Sequence, residues 1–141
     1  MSILVYSIYI RMPSQEIEFI LSRQLAEYLS TPIILVDHDG RMIYYNESAE
    51  YILGKKYNES GEIESREWDN RFFEDHDRRT TLDMLDLPFV KILSVRHIIQ
   101  GEFWMRNFEE IEQKVLMICI PLVGLAQREL GALVYLNLIQ R

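Results

Sequence analysis

Between positions 14 and 30 the apolar residues keep a helical rhythm. Ile17, Ile20, Leu21, Leu25, Tyr28 and Leu29 recur at helical spacing, with Glu16, Arg23 and Glu27 on the other side. Ser14 supplies an N-cap and Pro32 stops the helix from running on. Such a helix has to cover an apolar surface, either its own sheet or the same helix in a second copy.

The rhythm then changes. Ile33-Ile34-Leu35-Val36 is an unbroken, β-branched run, and Met42-Ile43-Tyr44-Tyr45 makes a second strand. Asp37-His38-Asp39-Gly40 joins them, and an Asp-Gly pair between two apolar strands signals a hairpin because glycine takes the positive φ that the turn requires. Asn46 caps a short helix with Ala49, Ile52 and Leu53 on its buried face, and Gly54 stands where a left-handed residue ends it. Positions 55–87 are polar and irregular, with one helical piece over 65–73 holding Trp68, Phe72 and Phe73. Leu87-Pro88-Phe89 opens a further helix, with proline in its tolerated first turn and Phe89, Val90, Ile92 and Leu93 inward. Three strands follow over 102–108, 114–122 and 130–139. The sum is an α+β fold: a five-stranded antiparallel sheet with helices on one face and a leading amphipathic helix.

Length and charge narrow the reading. A chain of 141 residues is enough for one domain, here 14–141, preceded by an extension over 1–13. The run Ile3 to Ile10 is β-rich and falls far short of the roughly 20 residues a membrane helix needs. It reads as an extra strand, at a sheet edge or against another chain; alternatively Met12 is the native start. A net charge of −7 argues against nucleic acid or an anionic membrane as main partner, although Arg78-Arg79 is a local basic pair. The single cysteine, Cys119, permits no internal disulfide, and no Cys or His cluster has zinc-ligand spacing. A cytoplasmic location fits these features.

The order of elements over 34–54 resembles the opening of a PAS domain: apolar strand, Asp39-Gly40 turn, second strand, Asn46-capped helix and Gly54. Gly61-Glu62 with Trp68, Leu87-Pro88-Phe89, Ile120-Pro121-Leu122 and Gly131-Ala132-Leu133 resemble a bacterial subgroup of stand-alone PAS proteins. The likeness spans about 14–139. Its first late hairpin departs from the family, because Glu109-Glu110-Ile111-Glu112-Gln113 stands where an Asp-Gly turn is usual, so a longer turn is expected. The resemblance implies a non-catalytic sensory or interaction domain that acts in signal transduction through a separate effector protein. It also implies a homodimer and a small ligand, or none, in the interior.

Each sharper chemistry has a plain competitor. Asp37 and Asp39 also resemble the first motif of haloacid-dehalogenase-like phosphatases, but Arg41 follows and the strands read as antiparallel, so a turn is the better account. Haem needs a histidine on the long helix, whereas His38 lies in a turn, His76 in the polar segment and His97 beside Arg96 at the helix end. A flavin adduct needs a cysteine in a polar segment, and Cys119 lies in an apolar strand. The ligand-pocket candidates are Trp68, Phe89, Leu93, Trp104, Arg106, Tyr135 and Asn137; Ile17, Leu21, Leu25 and Tyr28 are the dimer candidates. The competing function is a dimerisation scaffold with a filled core.

Overall fold

The computed structural model describes residues 17–57, 63, 65–68, 71–73 and 81–141. The expectations for 1–13, for Ser14, Glu16, His76 and Arg78-Arg79, and for Gly61-Glu62, lie outside them. The helices are α1 (Ile17–Tyr28), α2 (Glu47–Leu53) and α3 (Pro88–Val95). The strands are β1 (Ile33–Asp37), β2 (Met42–Tyr45), β3 (Phe72–Phe73), β4 (Ile99–Arg106), β5 (Glu112–Val123) and β6 (Glu129–Gln140). They form one sheet in the order β2-β1-β6-β5-β4-β3, and each pairing is antiparallel.

The opening hairpin forms as its residues dictate. Gly40 has φ 86°, and the Asp37 carboxylate accepts from the backbone N–H groups of Asp39 (2.9 Å) and Arg41 (3.0 Å). That carboxylate is a turn-former, and the antiparallel sheet around it is not the parallel one phosphatase chemistry uses. Asn46 caps α2 by accepting from Ala49 N–H, and Gly54 closes it at φ 74°. Pro88 begins α3, which Arg96 ends in the left-handed region at φ 59°.

One expectation needs correction. The sheet has six strands among the described residues, not five: Ser65–Trp68 is a single 3-10 turn, and Phe72–Phe73 form a strand that pairs with Met105 and Trp104. Helices α2 and α3 cover one face, as expected, and the leading helix α1 lies on the other. Ile34, Val36, Tyr45, Val115, Met117, Val134 and Leu136 join α2 and α3 in the main core, whereas Ile33, Leu35 and Tyr44, which point the other way, pack with Ala26 of α1 and Leu130. Thus α1 covers its own sheet through Ala26 (1% exposed), with Ile20 buried as well, and turns Leu21, Leu25 and Tyr28 outward.

The late strands run 99–106, 112–123 and 129–140, so the first starts three residues earlier than expected and ends two earlier. The β4–β5 turn is long, as its sequence suggests. The buried side chain of Asn107 organises it by accepting from the N–H groups of Glu109 (2.9 Å) and Ile111 (3.0 Å). Asn107 and Gln113 both donate to the Ile52 carbonyl, which fastens the end of α2 to this hairpin.

Candidate functional site

The seven pocket candidates do not line one cavity. Trp68 and Phe89 lie on the helical side of the sheet inside an aromatic cluster: Trp68 is 4.8 Å from Phe108 and 5.3 Å from Phe72 between ring centroids. Phe89 closes the group at 6.2 Å from Trp68. Trp104, Arg106, Tyr135 and Asn137 alternate with Met105, Leu136 and Leu138, and so belong to the opposite face. There Trp104 lies across from Phe73, and Arg106 rests over the Phe73 ring and reaches Glu112 at 3.5 Å. Asn137 is exposed to solvent and needs no buried partner.

Leu93 occupies a third place. With Ile92, Arg96, His38, Leu122 and Glu129 it lines a cavity of about 190 Å³ between α3 and the β5–β6 end of the sheet. Arg96 and Glu129 pair across it. Gly131 forms part of the same wall at φ 145°. The volume lies below the roughly 300 Å³ at which ordinary small-molecule pockets begin. Among the described residues the buried indole N–H of Trp68, in the main core, has no hydrogen-bond partner.

Of the residues weighed for cofactor chemistry, His76 lies outside the described residues and the others are placed as follows. Cys119 is wholly buried on β5, and burial pushes its thiol from 9.0 up to about 12, so it behaves as an apolar side chain and not as a nucleophile. His97 is exposed beyond the end of α3, its Nδ1 3.1 Å from the Ile98 carbonyl. His38 is exposed in the opening turn, 3.5 Å from Asp39. Among the described residues no group of three His, Cys, Asp or Glu side chains could hold a metal ion, and no helix is long and apolar enough to cross a membrane.

On the dimer candidates, Leu21 is 51% exposed, Leu25 61% and Tyr28 89%; the side chain of Ile17 lies outside the described residues. Arg23, assigned by spacing to a polar face, instead lies over the rings of Tyr44 (4.8 Å) and Tyr57 (5.6 Å). Sequence reasoning passed over Asn46 as more than a cap. Its Oδ1 also accepts from Ile33 N–H, and its Nδ2 donates to the carbonyls of Ala26 (3.1 Å) and Thr31 (2.7 Å), tying the end of α1 to β1 and α2.

No family model and no curated protein sequence matches the chain. Solved structures do. The PAS domain of nitrogen regulation protein NR(II) from Vibrio parahaemolyticus aligns at TM-score 0.60 and 16% identity, over 84% of this chain and 98% of that one. A LOV protein from Rhodobacter sphaeroides aligns at TM-score 0.69 and 12% identity, over 89% and 70%. The light-state dimer of the fungal blue-light photoreceptor Vivid aligns at TM-score 0.61 and 15% identity, over 87% and 94%. The fold is therefore that of PAS domains, in agreement with the resemblance read from the sequence.

Proposed function

We propose that this chain is a non-catalytic PAS-type interaction domain that passes on a signal through protein contacts, beginning with a second copy of itself. The observation that carries this reading is the outward stripe of α1. The helix already seats Ala26 on the sheet, yet Leu21, Leu25 and Tyr28 stand 51%, 61% and 89% exposed one turn apart on its far side. An apolar row of that kind on a helix fits the same row of a second helix. That one solved structure of this fold is a dimer supports the reading. A separate effector protein would engage the assembled pair.

Sedimentation equilibrium tests it. Wild type should show a concentration-dependent dimer, and Leu25→Glu should give monomer with an unchanged far-UV spectrum. A wild-type chain that stays monomeric, or a variant that stays dimeric, removes α1 as the interface.

A second reading, a small ligand held in the interior, rests on the Trp68 indole, which has no partner among the described residues, and on the cavity beside Leu93. Native mass spectrometry of freshly purified protein separates the two. Co-purified extra mass favours sensing, and a clean chain mass favours the scaffold.

A further inference from the structure

On the other side of the molecule, the end of α1 and the start of α2 enclose an open cleft of about 690 Å³. Glu27, Glu47, Tyr28, Tyr44 and Tyr51 line it, so it combines carboxylates with phenol rings. We propose that this cleft binds an organic cation, a guanidinium or amine group, offered either by a free small molecule or by a side chain on a protein surface.

Charge favours this occupant. The last turn of α1 carries Glu27 and no basic residue, so the negative end of the helix faces the cleft without a cation of its own. Arg23, one turn earlier, reaches Glu27 only at 3.8 Å and is committed to the Tyr44 ring. The opposing positive end of α2 is already answered, since its first turn holds Glu47 and Glu50.

The rings have shown what they take. Arg23 lies 4.8 Å from the Tyr44 centroid on the α1 side. At the far rim the Arg141 guanidinium lies 4.4 Å over Tyr51 and donates to its hydroxyl at 2.8 Å. Aromatic faces beside carboxylates are the usual seat of such cations. The third observation is Tyr44 itself. Only 6% exposed, it lines the cleft, and its hydroxyl has no hydrogen-bond partner among the described residues. Burial, and then the charge of Glu27, raise that phenol to about 12, so it stays a neutral hydroxyl whose oxygen can accept from an incoming N–H.

Calorimetric titration tests the proposal, with agmatine as the free cation, a Gly-Arg-Gly amide as the displayed one and the citrulline tripeptide as the uncharged control. Both arginine-type probes should bind and the control should not; the tighter of the two identifies the source. Tyr44→Phe and Glu27→Gln should each weaken binding about tenfold. Glu47→Gln, at an exposed position, serves if either of them disturbs the fold by circular dichroism. The Leu25→Glu monomer should still bind both cations, which tests this site apart from the proposed dimer. Three results overturn it: no heat from either cation at millimolar concentration, equal binding of the citrulline peptide, or unaltered affinity when Tyr44 and Glu27 are replaced together.

Discussion

At the scale of single residues, a few positions carry more than their types suggest. Gly131 has φ 145°, and a Cβ there would run into the carbonyl oxygen of Val36, where β6 pairs with β1. Gly131→Ala should therefore cost about 2–4 kcal/mol, read as a lower urea midpoint with an unchanged slope. Asn46 joins three segments, and removing its side chain leaves the buried N–H groups of Ile33 and Ala49 without their acceptor. Asn46→Ala should cost about 2–3 kcal/mol by the same measurement, and Asn46→Asp should not restore it, because a carboxylate oxygen would then face the carbonyls of Ala26 and Thr31. Cys119 sets a pH dependence. In the unfolded chain its thiol ionises near 9.0, and in the fold near 12. The raised value means that the stability it confers is complete below pH 9.0 and drains away as pH rises toward 12, where both states are ionised. Tyr44, raised from 10.0 to about 12 by burial and then Glu27, acts in the same direction. Denaturation midpoints should fall above about pH 9, less steeply in Cys119→Val, and the native thiol should resist Ellman's reagent until denaturant is added.

At the scale of elements, the sequence was legible wherever local chemistry decided the outcome. The Asp39-Gly40 hairpin, the Asn46 and Gly54 caps and the proline start of α3 lie where turn and cap preferences put them. The segment 65–73 was misread for a physical reason. Trp68 and Phe72 stack at 5.3 Å, and that four-residue contact is what a helix also gives; only the pairing of Phe72 and Phe73 with β4 breaks the tie, and β4 lies some thirty residues away. The orientation of α1 was hidden because Ala26 hardly counts as apolar in a helical count, yet it is the residue pressed to the sheet. Those two sides give a contrast that can be measured. Ala26→Glu should unseat α1 and lower stability by about 2–4 kcal/mol, whereas Leu25→Glu should leave stability within about 0.5 kcal/mol and change only the sedimentation mass. Equal losses in the two variants would mean that the two sides of the helix are not distinct.

At the scale of the whole molecule, the strand content could be read in the sequence but its handling of faces could not. Alternation in β6 separates Tyr135 and Asn137 from Leu136 and Leu138, and the structure keeps that division. Which side becomes the core depends on where α2 and α3 dock, and that is fixed by long-range ties such as those of Asn107 and Gln113 to Ile52. The cleft beneath α1 was equally hidden, since it joins Glu27, Tyr44 and Tyr51 from three separate elements. The sheet order makes a further prediction. Strand β6 lies between β1 and β5, so a chain ending before residue 129 should lack cooperative unfolding and bind the dye ANS.

That placement bears on how the protein is made. Every other described strand precedes β6 in the chain, so a ribosome that has delivered them all has released two half-sheets with nothing yet to join them. Both halves wait with bare, sticky edges until β6 threads between them, which makes the nascent chain a natural client for chaperones.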